Sequence, residues 1–196
     1  MQQVSELRSK VRDAYSAAAV RPGEAHAFPV GRRFAESLGY PADLLAKLPD
    51  ACVEAFAGVS NVSLFAEIPK GSPVLDLGCG AGLDSLIAVD LAGPEGQVVG
   101  LDFSLPMLAR ARESAVEAGA GNVLFCQADA ESLPLADDSM EVALVNGIFN
   151  LNPARESIFR ELGRVVRRNG VVYSAELILN EALPAEQQAS EANWFA

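Results

Sequence analysis

The 196-residue chain is short of cysteine, histidine and basic charge, and each shortage removes a class of chemistry. Its three cysteines, Cys52, Cys79 and Cys126, lie far apart with no Cys-x-x-Cys spacing. That argues against a disulfide framework and a zinc site, so no metal is expected, and a reducing cytoplasm is the simplest home. The single histidine, His26, sits in a Pro- and Gly-bearing stretch, so no Ser-His-Asp or Cys-His arrangement is evident. Polar surface is its ordinary reading, an acceptor-site role the other. With 15 Lys+Arg against 26 Asp+Glu the net charge is −11, which argues against nucleic acid as the main partner. One basic cluster exists, at Arg155, Arg160, Arg164, Arg167 and Arg168. It fits a solvated helix face with cations near the carboxyl end, the alternative being a site for a small acidic molecule. No apolar run reaches the ~20 residues a membrane span needs. The opening Met-Gln-Gln-Val-Ser-Glu lacks the basic-then-apolar order of a signal peptide.

What is present is globular. Half the residues are apolar, and the length suits one domain with its own core. Val4, Leu7, Val11, Tyr15 and Ala18 recur at three- and four-residue steps, which predicts an amphipathic helix over 3–20. Arg21-Pro22-Gly23-Glu24 breaks it, and residues 24–69 alternate short helical pieces with Pro and Gly. From residue 73 strands and helices alternate, the signature of a parallel sheet. Strands are expected near 73–77, 97–101, 122–126, 140–146 and 170–178. Helices are expected near 82–92, 104–119 and 154–167, with a shorter turn near 131–135. The last helix follows Asn152-Pro153, read as a cap residue with proline at the first helical position.

The most informative stretch is Val74-Leu75-Asp76-Leu77-Gly78-Cys79-Gly80-Ala81-Gly82, a buried strand running into a glycine turn. Such a turn lets the backbone bend tightly and a ligand approach the main chain. The spacing is Gly-x-Gly-x-Gly, with Leu83 where a dinucleotide fingerprint needs its third glycine. This disfavours a nicotinamide-dependent oxidoreductase. No Lys-Ser/Thr pair follows, so a phosphate-cradling P-loop is disfavoured as well. A second strand, Val98-Val99-Gly100-Leu101-Asp102, ends in an acid twenty residues after Gly82, placed to accept hydrogen bonds from both hydroxyls of a ribose.

With these motifs the chain resembles the class I S-adenosylmethionine-dependent methyltransferases. The resemblance continues through Asn122-Val123-Leu124-Phe125-Cys126-Gln127-Ala128-Asp129-Ala130, Leu133-Pro134, Asp137-Asp138-Ser139, Val142-Ala143-Leu144-Val145-Asn146 and Arg164-Val165-Val166-Arg167-Arg168-Asn169-Gly170. It covers roughly residues 70–180. It implies an α/β fold, a Rossmann-like parallel sheet with helices on both faces, preceded by a helical lid. Residues 1–69 would form that lid and shape the acceptor pocket, and 70–196 would bind the cofactor, as one compact unit. S-adenosylmethionine is the implied cofactor, S-adenosylhomocysteine its product, and the implied partner a small-molecule methyl acceptor reached by in-line displacement.

The resemblance also implies roles. Gly78, Gly80 and Gly82, with Cys79 between them, would let the cofactor approach the backbone, and Asp76 would orient the turn or reach the methionine ammonium. Asp84 would serve the methionine end, or be an acid favoured at a helix start. Asp102 would hold the ribose diol, and Phe103 and Met107 would offer apolar surface to adenine, Met107 being equally a helix-core candidate. Asp129 and the backbone of Ala130 would read the adenine edge. Asn146 would face the methionine group and acceptor, or simply form a turn. Tyr15 is either a lid contact or core, and no catalytic residue is assigned.

Within the superfamily the chain is most similar to arsenite methyltransferases, through Gly80-Ala81-Gly82-Leu83-Asp84 and Asn146-Gly147-Ile148-Phe149-Asn150-Leu151. Those enzymes bind a trivalent metalloid through thiolates, which are soft ligands suited to it. Here Val59 and Gly147 stand where two of those cysteines would be, while Cys79 and Cys126 are expected to pack near the cofactor. The family's sheet has seven strands, and too little chain follows Leu179 for the last two. The fold is therefore expected to lack them, leaving an edge for a homodimer partner to cover, or the chain is a piece of a longer protein. A stop codon read as selenocysteine beyond Glu191-Ala192-Asn193-Trp194-Phe195-Ala196 would supply both the strands and a soft nucleophile. The alternative function is a protein that binds S-adenosylmethionine or S-adenosylhomocysteine without transferring a methyl group.

Overall fold

A computed structural model describes residues 2–178. A long first helix, α1 (Gln2–Val20), is followed by four short ones: α2 (Arg32–Ser37), α3 (Ala42–Leu45), α4 (Asp50–Val53) and α5 (Val62–Phe65). The alternating part comprises β1 (Pro73–Leu77), α6 (Leu83–Ala92), β2 (Gln97–Asp102), α7 (Leu105–Glu117), β3 (Val123–Gln127), β4 (Met140–Asn146), α8 (Arg155–Val165) and β5 (Val166–Ala175). All four strand pairings are parallel, in the order β3-β2-β1-β4-β5. The order reverses between β1 and β4, and in open parallel sheets ligands bind at the carboxyl ends beside such a reversal.

Alternation along β1 divides the core. Val74 belongs to a cluster with Val98, Leu144, α6, α7 and the short helices, whereas Leu75 and Leu77 join Leu101, Val145 and the buried stripe Ile158-Leu162-Val165 of α8. Ala18, Phe28, Tyr40 and Val53 lie in the first cluster, so residues before 70 share one core with the sheet. Sharing Val74's side of β1, Asp76 accepts a hydrogen bond from Ser85 of α6. The α7 start is specified locally: the Ser104 hydroxyl accepts from Met107 N, with Pro106 in the first turn.

Two expectations are corrected. The α8 helix begins at Arg155 with Ala154 as its cap, not at Pro153, because Asn152 Oδ1 accepts from Ala154 N (2.8 Å) in a turn of its own while its Nδ2 is drawn to Glu131 (2.9 Å). Strand β5 begins at Val166, directly after α8, and ends at Ala175 rather than 178. Its pairing jumps from Met140↔Val166 to Val142↔Val171, and Asn169 takes up the extra residues with φ 66°. Within the described residues β5 pairs with β4 alone and leaves Val171 and Val172 partly exposed. The expectations concerning a missing hairpin and Glu191–Ala196 fall in 179–196, outside the described residues. Among the described residues no helix is long and apolar enough to cross a membrane.

Candidate functional site

The glycine turn is held by β2. Gly78 N and Cys79 N both donate to the Leu101 carbonyl (2.8 and 3.0 Å), and Gly80 N donates to Asp102 Oδ2 (2.9 Å). The other oxygen of Asp102 accepts from Ser104 N (2.8 Å). The acid at the end of β2 therefore fixes both the turn after β1 and the start of α7. Gly80 has φ 52°, and a Cβ there would meet nothing nearer than Met107 Sδ at 4.0 Å, so its backbone fronts open space. Gly82, outside the cleft lining, caps α6 with φ 89°, and a Cβ there would come within 3.1 Å of Ala111 and Phe125, so its bareness serves packing of the turn against α7 and β3.

Every other residue assigned to cofactor binding lines one cleft: Asp76, Gly78, Cys79, Gly80, Asp84, Asp102, Phe103, Met107, Asp129, Ala130 and Asn146. Three of its carboxylates are buried: Asp76 is 2% exposed, Asp84 6% and Asp102 7%. Their hydrogen-bond donors are neutral. Ser85 donates to Asp76, the Tyr40 hydroxyl (2.6 Å), the Ser63 hydroxyl and Asn146 Nδ2 (2.9 Å) donate to Asp84, and backbone N–H groups donate to Asp102. Burial, then the neighbouring charge of Asp84, pushes the Asp76 carboxyl up to about 8. Burial pushes Asp102 up to about 6 against the N–H groups of Ser104 and Gly80, and raises Asp84 too. A ligand carrying positive charge offsets this crowding of negative charge.

Phe103, Met107 and Ala128 give the cleft an apolar flank beside Asp129, Met107 serving core and cleft at once. Arg8, Val11 and Tyr15 of α1 close it from above. Tyr15 stacks on Phe28 (4.4 Å) against the shared core while also lining the cleft, and burial raises its hydroxyl pKa. Burial also raises the Cys79 thiol. Cys126 was expected near the cofactor but is exposed on β3 and outside the lining.

At the other end the Asn146 amide is committed to a loop. Its Oδ1 accepts from Val59 N (2.9 Å) and Ser60 N (3.1 Å), and its Nδ2 donates to Ser60 O (2.7 Å) as well as to Asp84. This clip sets Val59 against Gly147, where a Cβ would lie 2.8 Å from Val59 Cγ1. Phe56, Ala57, Gly58, Gly147 and Ile148 thus form a largely apolar wall. Cys52 also lines the cleft, but its thiol donates to Pro49 O and burial pushes it up to about 11. Glu176, for which the sequence offered no signal, accepts from Ile148 N and Phe149 N (both 2.8 Å) and Asn150 N (3.3 Å), fixing the segment after Gly147.

Two candidate groups lie apart from the cleft. His26 Nε2 meets the Arg21 carbonyl (2.9 Å) and faces Phe28. Arg164 binds Glu161 (2.7 Å), Asp137 (2.8 Å) and two carbonyls, and Arg167 binds Glu141 (2.7 Å), so these two members of the basic cluster tie elements together.

Comparison with known proteins bears on this geometry. A family model described as a methyltransferase domain matches residues 68–195. An arsenite methyltransferase of Halobacterium salinarum is 36% identical over 153 residues, covering 78% of this chain and 39% of that protein. A demethylmenaquinone methyltransferase of Listeria monocytogenes is 38% identical over 104 residues, covering 53% of this chain and 44% of that protein. The chain thus spans less than half the length of these curated relatives. The crystal structure of an arsenic(III) S-adenosylmethionine methyltransferase from Chlamydomonas reinhardtii superposes with a TM-score of 0.63 at 27% identity, covering 82% of this chain and 54% of that one.

Proposed function

The chain belongs to the methyltransferase-domain family, and from that premise we propose that it transfers a methyl group from S-adenosylmethionine to a small-molecule acceptor. The observation that carries this reading is the set of three buried carboxylates, all with neutral donors, around a glycine turn that is open at Gly80. Such a site fits a ligand with an ammonium, a sulfonium and a diol. When bound, S-adenosylmethionine supplies an electrophilic methyl group on a sulfonium.

The chain's own part is positioning. An ionised carboxylate has about four lone-pair sites. Asp102 uses one on each oxygen for Gly80 and Ser104, which leaves sites for ribose hydroxyls. Asp129 and the Ala130 backbone would meet the adenine edge between Phe103 and Met107, and Asp76 and Asp84 would face the cationic end. Asp84 is bound by Tyr40, Ser63 and Asn146, and the Tyr40 hydroxyl is held far above its ordinary pKa, chiefly by burial. The acceptor attacks with its own lone pair in an in-line displacement. No thiol stands at the Val59–Gly147 contact, and burial raises the two thiols that line the cleft, Cys52 and Cys79, away from the thiolate form, which favours an organic acceptor over a trivalent metalloid.

Calorimetric titration with S-adenosylhomocysteine tests the reading. The wild-type chain binds, and Asp102→Ala, shown by circular dichroism to be folded, binds at least about tenfold more weakly, as loss of a charged hydrogen-bond acceptor requires. A folded wild-type chain that binds neither S-adenosylhomocysteine nor S-adenosylmethionine overturns it. Binding without transfer to arsenite, quinol, amine or phenol acceptors identifies a binding protein instead.

A further inference from the structure

The two halves of α1 are attached to the rest of the molecule by different means. Its second half is fastened by packing and by hydrogen bonds that involve no carboxylate. Val11, Ala18 and Ala19 are buried, the Ser16 and Ser104 hydroxyls lie 2.9 Å apart, and Arg110 of α7 donates to the Ala19 carbonyl. In the first half Glu6 and Lys10 are exposed and Leu7 is only half-buried. There Arg8 reaches over the cleft to Asp129 and to Glu131 Oε1 (3.1 Å). The three side chains are 36%, 42% and 23% exposed, partly withdrawn from water.

The pairing engages a residue assigned above to the ligand. Asp129 Oδ1 accepts from Glu131 N (3.1 Å), and Oδ2 takes the Arg8 guanidinium. A donor arriving at Asp129 meets a carboxylate with one partner already on each oxygen, and it takes a remaining lone-pair site beside the Arg8 guanidinium or displaces it. Arg8 also stands between two carboxylates that would otherwise repel one another, and Glu131 is further held by Asn152 Nδ2 (2.9 Å). A charge network of this kind outlasts an isolated surface pair.

We propose that Arg8 is a positioning residue of the nucleoside end, its guanidinium latching the first turns of α1 over the cleft through Asp129 and Glu131, so that ligand exchange requires the latch to open. This rests on the reading of the cleft as the cofactor site. The contact joins residues 121 apart in sequence, so no local pattern announces it.

Amide hydrogen exchange on the ligand-free chain tests the latch without any ligand, and stopped-flow displacement of S-adenosylhomocysteine tests the gating. Arg8→Met keeps the apolar stem and removes the charge; Glu131→Gln removes half the pairing and leaves Asp129 untouched, and it serves if Arg8→Met does not fold. The expected result is exchange about fivefold faster at amides 6–11, with 14–20 unchanged, and release of S-adenosylhomocysteine faster by a similar factor. Wild type in ~1 M salt, where charges are screened beyond ~3 Å, should shift in the same direction. Unchanged exchange at 6–11 in both variants overturns the latch. Faster exchange at 6–11 with unaltered release overturns the gating. A wild-type chain that binds no S-adenosylhomocysteine overturns the cofactor reading, and the gating with it, while the amide exchange still decides whether the latch exists.

Discussion

Replacing Asp76 by Asn should change how the stability of the ligand-free protein depends on pH. The carboxyl is 2% exposed, accepts from Ser85, and is pushed up to about 8, first by burial and then by Asp84. An unfolded aspartate releases its proton near ~4. Between those values the folded chain keeps a proton that the unfolded chain has lost, so unfolding is favoured as pH rises. The contribution is fully present below pH ~4 and is lost as pH passes through about 8. One such proton gives a slope of about 1.4 kcal/mol per pH unit, or roughly 2 kcal/mol between pH 6 and 8. Asp102, pushed up only to about 6, is half ionised where that window opens and adds only a small part of the fall, near pH 6. Asn keeps the shape, accepts from Ser85 through its carbonyl, and relieves the repulsion on Asp84. Urea unfolding followed by circular dichroism from pH 5.5 to 8.5 should show wild-type stability falling across pH 6–8 and Asp76→Asn losing most of that slope. Equal slopes in the two proteins would refute the assignment of the buried charge to Asp76.

Tyr40→Phe removes one neutral donor from a buried carboxylate, a change that costs about 2 kcal/mol. A chain of this size should melt about 4–8 °C lower, measured by differential scanning fluorimetry. Gly147→Ala places a side chain at φ 80° and a Cβ 2.8 Å from Val59 Cγ1. It should destabilise the chain by about 1–2 kcal/mol through backbone strain alone, and lower acceptor turnover more than S-adenosylhomocysteine affinity. Adding Val59→Ala should recover turnover but not the strain, as denaturation midpoints and kinetics of the double variant would show.

Element order and the floor of the site were legible along the chain. Parallel strands buried on both faces leave continuous apolar runs, and β1 and β4 stand where those runs predict them. The glycine turn and the acids at strand ends are marked by residues whose local conformation or position is special, and Asp76, Asp84, Asp102 and Asp129 share one cleft as expected. Boundaries were less legible: a bulge lets β5 start at Val166, and the side chain of Asn152 forms a turn where a helix cap was expected.

What the sequence by itself determined is therefore the set of features written within a few residues of one another: the periodicities, the Gly-x-Gly-x-Gly turn and the acid at each strand end. Only the tertiary structure decided how those features are used. It packed Gly82 against α7 and β3, sent Cys126 to the surface, committed the Asn146 amide to a loop 86 and 87 residues away, set Glu176 against the segment after Gly147, and brought Arg8 over a cleft whose motifs lie far from it in sequence. The physical reason is that a hydrogen bond or ion pair between distant residues is selected by the packing of whole elements. Spacing along the chain specifies the donor or acceptor, whereas its partner is specified by the fold.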